Sequence, residues 1–556
     1  MFTKIHYVSS EKQYLILLFF VCLIWFTEAF WNFHPSVGPD WDECLTHQEL
    51  QRKIVTQYHQ FPLWNPYVCG GEPWFAHPES SFLSLHFIFV IIFGTFKGVI
   101  LSILVLTLTG IIGMYLLSRF FGLAPAFSLI SSLFFLSLFN PLVYFNPFPC
   151  FYIALCPWIY LAFIYYKRNH KFPVVIPILF AYLIYAGAYY ALIFTFLMLL
   201  IDASWEALSK RDTSIFFAFF KMIALAFLMA SPKLIPMIEL LLRYPRIETL
   251  PDYHGWFLDL SRIGGLGYIY TLKNVMSTTI LSTILVFFLF SFLLFKSYPQ
   301  LILMNLFFSL LFQGDYSPLN IWRVWHFFMP SFRRHHAIFL MALLVPLSLC
   351  AGLLMSRASM VLRKSRLVTY LSLFLLVFFL LYNIFNDARG IFQKKPVLDY
   401  DLSGQRMDFY QTEGSPTKMF DTVFNNRGAV NGFDTVGRQI KTRVLPREDA
   451  RYRGECYLER GFGQITNYFF TPNVLKINLR MHKGDLLVVN QNYFSGWRSS
   501  VGNIINRNGL LAVPLRKSNT SISLYYFPRS LIFGVIVLIV FLISLCHKQM
   551  RARLLK

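Results

Sequence analysis

Acidic residues gather in one short part of the chain, positions 32 to 81. Those acidic residues are Asp40, Asp42, Glu43, Glu49, Glu72 and Glu79, against only two basic ones. A carboxylate such as Asp40 or Asp42 can act as a general base on an acceptor hydroxyl, or its oxygens can hold a divalent cation such as Mg²⁺ or Mn²⁺. The same residues would also suit a solvated loop or the start of a helix over 43–57. The segment is therefore a candidate functional site, and a purely structural role for its acidic residues is the alternative.

The acidic residues are followed by an aromatic-rich stretch, FPLWNPYVCGGEPWFAHPESS, which runs from Phe61 to Ser81. Its prolines restrict the backbone, and Gly70-Gly71 permits a tight turn. Its aromatic side chains can stack on a sugar ring or lie among lipid headgroups. Cys44 and Cys69 lie in the same part of the chain. A disulfide between them would close a loop of about 25 residues, and two unjoined thiols are the alternative.

A basic run, RRHH, begins at Arg333 just before an apolar stretch. Guanidinium groups bind phosphate through paired hydrogen bonds, so Arg333 and Arg334 are candidates for contact with a lipid phosphate. Anchoring among anionic headgroups is the alternative. Arg243 and Arg246 are weaker candidates for the same contact.

The elements that position these residues are predicted to be mostly membrane helices. The chain has 556 residues, 56% of them hydrophobic and 14% charged, and a mean hydropathy of +0.52. This composition excludes a disordered chain and an ordinary soluble enzyme, and it indicates a polytopic α-helical membrane protein. About twelve spans are predicted by their apolar length. They lie near 14–31, 98–118, 124–140, 149–166, 172–186, 190–206, 213–231, 276–296, 299–314, 336–356, 367–386 and 530–547.

Basic residues predict how these spans are oriented. With the N-terminus inside, the inner segments hold 17 Lys and Arg in about fifty positions. The outer loops 32–97, 232–275 and 315–335 hold 11 in about 130 positions. This bias has the sign of the positive-inside rule, so we expect a multi-pass protein of the cell membrane with both termini in the cytoplasm. The assignment requires Phe82–Gly94 to lie in the outer interface, or to dip back, instead of spanning.

One long segment differs from the rest of the chain. Residues 387–529 hold 21 Lys and Arg and 12 Asp and Glu, and they end in the β-like runs DLLVVN, GLLAVP and SISLYYF. Turn-forming residues separate these runs, which indicates an extracytoplasmic β-rich domain. The predicted organisation is a transmembrane module over 1–386 with the outer loop 32–81, the β-rich domain, and a final span with a cytoplasmic tail over 530–556.

The Asp40-Trp-Asp42 cluster, together with the WNPYVCGG stretch, resembles the YfhO family of bacterial membrane proteins. Further short stretches resemble that family in the same order: YAGA, LIPMIE, MPSFRR, YFSGW and NGLLAVP. The resemblance implies a GT-C-like fold and an inverting glycosyltransferase that uses a polyprenyl-phosphate sugar. It implies that the base is a carboxylate of the first outer loop, at Asp40 or Asp42. The candidates for substrate binding are Arg333, Arg334, Trp64, Asn65, Glu72 and His77.

The leading hypothesis is transfer of a sugar from a polyprenyl-phosphate carrier to a glycan or lipid acceptor of the cell envelope, on the outer face of the membrane. The β-rich domain would bind or orient that acceptor. A lipid-linked glycan flippase and a noncatalytic envelope-polymer assembly factor are the alternatives. Few ionisable residues lie within the predicted spans, which argues against a proton-coupled carrier. A nucleic-acid partner is excluded because the basic excess divides between inner loops and an outer domain.

Overall fold

The structure is a computed structural model. It describes residues 9–30, 39–145, 151–245, 278–313, 324–325, 339–361, 366–392, 408–415, 418–432, 436, 440, 442–518 and 520–554. Helices dominate up to residue 392, and strands dominate from there to the last helix.

The helices are numbered here in chain order over the described residues. They are α1 (Ser9–Phe30), α2 (Pro39–Thr56), α3 (Leu85–Phe93), α4 (Thr95–Phe120), α5 (Pro125–Phe145), α6 (Cys156–Asn169), α7 (Val175–Tyr185), α8 (Tyr189–Lys210), α9 (Ser214–Met229), α10 (Ser231–Arg243), α11 (Thr278–Ser291), α12 (Pro299–Gln313), α13 (Leu340–Val361), α14 (Arg366–Phe392), α15 (Met419–Phe424) and α16 (Arg529–Leu554).

Several of these helices have the length and apolar character that a membrane crossing requires. In the described chain these are α4, α8, α13 and the first 19 residues of α16. Helices α9 and α10 would form a fifth span if they are counted together, with a bend of 86° between them. Pro232, the second residue of α10, has no amide hydrogen to continue the hydrogen bonds of α9, which accounts for the break. The length and composition of these helices therefore confirm the prediction of a polytopic helical membrane protein. The predicted number of twelve spans stays a prediction.

The stretch that the charge pattern required not to span forms the separate helix α3. It has nine residues, which is too short to cross a bilayer. The hydroxyl of Ser84 caps its start by accepting from the Phe87 amide, and the helix ends at Gly94. Helix α3 then packs against α4, which follows it directly.

The strands are β1 (Trp64–Asn65), β2 (Glu72–Pro73), β3 (Tyr410–Thr412), β4 (Arg427–Ala429), β5 (Cys456–Leu458), β6 (Gly463–Phe470), β7 (Val474–Met481), β8 (Asp485–Asn492), β9 (Trp497–Ser499), β10 (Ile505–Arg507), β11 (Leu510–Leu515) and β12 (Ser521–Tyr526). Two four-stranded antiparallel sheets, ordered β10-β11-β8-β5 and β6-β7-β12-β9, form most of this region.

The two sheets share one hydrophobic core. Strand β7 alternates between buried and exposed side chains, as expected of a strand with one face against a core. Leu479 from one sheet and Val489 from the other belong to the same cluster of buried residues. Trp64 and Phe75 also belong to that cluster, although they come from the predicted outer loop 32–81. This loop is therefore packed into the β-rich region.

Candidate functional site

Helix α2 presents the predicted acidic residues on two different faces. Asp40, Glu43 and His47 are spaced by three and four residues, which aligns them along one stripe of the helix. Asp40 is exposed at the start of this stripe, whereas Glu43 and His47 are buried. Asp42 is two positions after Asp40 and so points about 200° away around the helix axis. The structure therefore separates the two carboxylates that the sequence left as alternatives.

The carboxylate of Asp42 caps the short helix α15. Its two oxygens accept hydrogen bonds from the backbone amides of Met419 at 2.7 Å and Phe420 at 3.2 Å. At the other end of α15, the ammonium group of Lys53 donates to the carbonyl oxygens of Val423 at 2.6 Å and Phe424 at 3.0 Å. These are the groups that a helix leaves unsatisfied at its ends. Helix α2 thus holds α15 by both ends, which gives Asp42 a structural contact.

Glu43 and His47 meet a third polar side chain, Glu79, which comes from the loop before α3. One potential ligand atom from each of the three lies within 4.8 Å of the others. The His47 Nδ1 atom is 3.8 Å from Glu79 Oε2, and the hydroxyl of Tyr189 donates to Glu79 Oε1 at 3.1 Å. One imidazole and two carboxylates, with a hydroxyl supporting one carboxylate, fit a divalent transition-metal ion such as Mn²⁺ or Zn²⁺ better than Mg²⁺. These three residues are the candidate metal centre.

His77, a predicted substrate-binding residue, helps to position Glu79. Its ring is fully buried and stacks on Trp74, with the ring centroids 5.0 Å apart and the planes at 9°. Its Nδ1 atom accepts a hydrogen bond from the Glu79 amide at 3.2 Å. His47 lies against the same pair, 4.6 Å from the Trp74 ring. The aromatic residues of this loop therefore order two side chains of the candidate metal centre.

The turn between α7 and α8, together with α10, also contacts this loop. Gly187 has a φ of +68°, and a Cβ atom there would lie 2.9 Å from the backbone of Glu79. Lys233 is fully buried, and its ammonium group donates to the carbonyl oxygens of Ser80 and Tyr185. These contacts bring Glu79 to helix α2 although 36 residues separate Glu79 from Glu43.

Three other predicted substrate-binding residues, Trp64, Asn65 and Glu72, lie in a buried turn. The Asn65 amide donates to Glu72 Oε1 at 3.2 Å, which links β1 to β2. Trp64 is 1% exposed, and its indole nitrogen donates to Gln491 Oε1 at 3.1 Å. The hydrogen bond from Trp64 to Gln491 joins the turn to strand β8. Binding of substrate by these three residues stays a prediction.

The Gly70-Gly71 pair allows this turn to reach strand β8. Gly71 has a φ of +102°, and a Cβ atom there would lie 2.5 Å from Gln491 Oε1. Asn492 donates its side-chain amide to the carbonyl oxygens of Cys69 and Gly71, at 2.8 Å each. The side-chain amides of two neighbouring residues of β8, Gln491 and Asn492, thus contact the turn.

The structure has no disulfide between Cys44 and Cys69, which are both described. The Cys69 thiol donates to the carbonyl oxygen of Gly432 at 3.5 Å. Burial, together with the nearby carboxylates of Glu43 and Glu79, raises the pKa of the Cys44 thiol well above its usual value. The thiol of Cys44 is therefore protonated and unreactive at neutral pH.

The remaining predicted site residues, Arg333 and Arg334, lie outside the described residues, as do the two histidines that follow them and Arg246. His47 was not among the site residues predicted from the sequence. The available signal was Glu43-x-x-x-His47 on a predicted helix, because two residues four apart lie on one face and can share a metal ion.

A groove of about 650 Å³ opens between the end of α2 and strand β6. It is lined by aromatic and polar side chains, among them Tyr58, Asp408, Asn426, Asn467, Tyr468 and Phe469. The Phe469 side chain is 59% exposed. Strand β6 carries a register irregularity at 465–467, and such a bulge turns side chains away from the regular alternation. Exposed aromatic rings beside amides and a carboxylate are groups that can contact a sugar.

The fold and these contacts define a class: a polytopic helical membrane protein whose acidic loop is packed into a β-rich region. No protein-family model matches the chain, and no curated protein matches it, so the resemblance to the YfhO family stays a prediction. Among solved structures, the chain is similar to ArnT from Cupriavidus metallidurans bound to undecaprenyl phosphate. The identity is 12%, the match covers 77% of this chain and 88% of that one, and the TM-score is 0.44. At this level of likeness, the function has to be argued from the chain itself.

Proposed function

We propose that the chain is a membrane glycosyltransferase of GT-C type that works on the outer face of the membrane. It would move a sugar from a polyprenyl-phosphate carrier to a glycan or lipid acceptor of the cell envelope. The observation that carries the proposal is the stripe on α2, where an exposed carboxylate, Asp40, lies one turn before the buried Glu43 and two turns before the buried His47. This stripe follows α1, the first predicted span.

Asp40 is the proposed general base, because its side chain is exposed to an incoming acceptor. It would take the proton of the acceptor hydroxyl as that oxygen attacks the anomeric carbon. The bond from the anomeric carbon to the lipid phosphate would break at the same time, and the phosphate would leave with the bonding electrons. The new bond forms on the opposite side of the sugar, so the configuration inverts. Both oxygens of Asp42 accept backbone hydrogen bonds instead.

Glu43, His47 and Glu79 would hold a divalent cation beside this base. When bound, such a cation supplies positive charge that stabilises a leaving phosphate. Tyr189 and His77 would keep Glu79 in place through their hydrogen bonds. Arg333 and Arg334 remain proposed contacts for the phosphate of the donor.

The groove beside β6 is the proposed place for a glycan acceptor. Its exposed ring, Phe469, can stack on a sugar face, and the exposed side-chain amide of Asn467 offers both a donor and an acceptor of hydrogen bonds. The groove adjoins Lys53 on the same helix that carries Asp40. Burial lowers the pKa of Lys53 to about 8, so this residue is mostly charged at neutral pH.

A transfer assay tests the proposal. Membranes containing the chain would receive a polyprenyl-phosphate hexose labelled in the sugar, with membranes lacking the chain as control. We expect the label to leave the lipid extract and unlabelled polyprenyl phosphate to appear in equal amount. A flippase would move the label across the membrane while the sugar stays on its lipid. An assembly factor without catalysis would do neither, and either of these results would refute the proposal.

A further inference from the structure

A second cavity lies where α10, α16 and the β-rich region meet. Its volume is about 230 Å³. The charged residues and serines of its lining are Glu239, Arg243, Ser495, Arg498, Arg529 and Ser530. Three guanidinium groups and one carboxylate give the lining a net charge of +2. In the described part of the chain, no ion pair within 4.0 Å joins Glu239 to any of the three arginines. Once Glu239 is counted, the lining of this cavity therefore keeps an excess of two positive charges.

Ser495 orients two of the arginines. Arg243 donates to the Ser495 hydroxyl at 2.9 Å, and Arg498 donates to the Ser495 carbonyl oxygen at 3.4 Å. The Arg243 guanidinium also lies 5.7 Å from the ring centroid of Phe494. Ser495 belongs to the YFSGW stretch, which has no role in the proposed transfer reaction. Its contacts show that the stretch positions a pair of cations from two different elements.

The cavity lies at the end of a helix that faces lipid. Helix α16 begins at Arg529, and only 6% of its apolar window is buried within the protein. The Ser231 hydroxyl donates to the Gly534 carbonyl oxygen at 2.9 Å, which holds α10 against α16. Residues that begin a span lie at the level of the lipid headgroups. Arg529, which begins α16, is therefore expected at the level of the lipid phosphates, and the other two guanidinium groups line the same cavity.

We infer that this cavity binds the phosphate group of a membrane lipid, with the lipid chains lying along α10 and α16. Arginine is suited to this because its planar fork makes two parallel hydrogen bonds to phosphate oxygens. The net charge of +2 matches a doubly charged phosphomonoester. The lipid can be a polyprenyl phosphate, which is a phosphomonoester, or a bulk anionic phospholipid, whose phosphodiester carries one negative charge; both offer phosphate oxygens to the guanidinium groups. The inference depends on the lining residues and the membrane helices, and sugar transfer is not needed for it.

The test is a binding measurement on the purified full-length chain in detergent. The probes are undecaprenyl phosphate, phosphatidylglycerol and undecaprenol, which lacks the phosphate, and bound lipid is counted by native mass spectrometry. We expect Arg243→Gln and Arg498→Gln each to weaken phosphate-lipid binding about tenfold, because each removes a charge-assisted hydrogen bond. Arg480→Gln, at an exposed position of β7, is the matched control and should bind as the wild type does.

The remaining outcomes decide the proposal and its ligand. Selective binding of undecaprenyl phosphate would make this a carrier site, and equal binding of phosphatidylglycerol would make it a headgroup site; both support a phosphate cavity. Undecaprenol bound as tightly as its phosphate would overturn the inference. So would wild-type binding by an Arg243→Gln, Arg498→Gln double variant. Lysine at both positions should restore part of the affinity, which separates a lost charge from a misfolded chain. Binding is read without transfer, so a negative transfer assay does not affect this result.

Discussion

At the scale of single residues, the spacing along α2 separates Asp40 from Asp42. Replacing Asp42 with Ala leaves two amides of α15 without their acceptor, so we expect a loss of about 2 kcal/mol in the free energy of unfolding. Asp40→Ala removes an exposed side chain from the first turn of α2 and should cost no more than about 1 kcal/mol. Thermal unfolding of both variants in detergent measures the difference. Equal melting temperatures would contradict the capping role of Asp42.

A second residue-scale prediction concerns the buried carboxyl group of Glu455. Burial raises its pKa to about 7, from a usual value near 4.5, although it accepts hydrogen bonds from the Gln411 amide and the Tyr452 hydroxyl. Between these two pH values the folded chain binds this proton more tightly than the unfolded chain does. Stability therefore falls as the pH rises through the window, and the cost is fully present above pH 7.

Glu455→Gln removes that cost and keeps an oxygen acceptor in place. We expect the variant to gain on the order of 1–3 kcal/mol over the wild type at pH 8, with little difference at pH 4.5. Chemical unfolding at the two pH values, followed by tryptophan fluorescence, gives the comparison. A gain of the same size at both pH values would show that the carboxyl group does not titrate as stated.

At the scale of elements, the sequence predicted those features that are local. The runs DLLVVN, GLLAVP and SISLYYF coincide with β8, β11 and β12, because short β-branched and aromatic runs bounded by turn residues signal strands. Strand β7 was missed, although VLKINLRM alternates in the same way.

The approach of Glu79 to Glu43 could not be predicted from the sequence. It depends on contacts of the loop with Gly187, between α7 and α8, and with Lys233 of α10, and no local sequence pattern encodes these contacts. For the same reason, the sequence could not show that Trp64 packs into the β-rich core.

The docking of the aromatic turn onto β8 gives an element-scale prediction. Gly71→Ala forces an L-residue to a φ of +102° and places its Cβ atom 2.5 Å from Gln491. Gly461→Ala is the control, because Gly461 has a φ of +75° and no atom within 4 Å of its added Cβ. We expect Gly71→Ala to cost at least about 1 kcal/mol more than the control and to expose the turn to proteases. Equal stability and protease resistance would mean that the turn does not depend on this contact.

At the scale of the whole molecule, the account requires the β-rich region to lie outside the cell and the C-terminus inside. This orientation follows from the excess of Lys and Arg in the predicted inner segments. Lys517→Cys, at an exposed position beyond β11, should react with a membrane-impermeant maleimide in intact cells. A cysteine appended after Lys556 should react only once the membrane is permeabilised. Labelling of the appended cysteine in intact cells would place the α2 stripe on the wrong face.

The proposed function depends on an exposed carboxylate on α2 that acts as the general base for sugar transfer at the outer face. The most direct test is the transfer rate of Asp40→Asn and Asp42→Asn with the labelled polyprenyl-phosphate hexose, each corrected for the amount of folded protein. Loss of a general base typically lowers the rate by about 100- to 10,000-fold, which we expect for Asp40→Asn. Asparagine can still cap a helix, so Asp42→Asn should stay within about tenfold of the wild type. Transfer by Asp40→Asn at the wild-type rate would contradict the account.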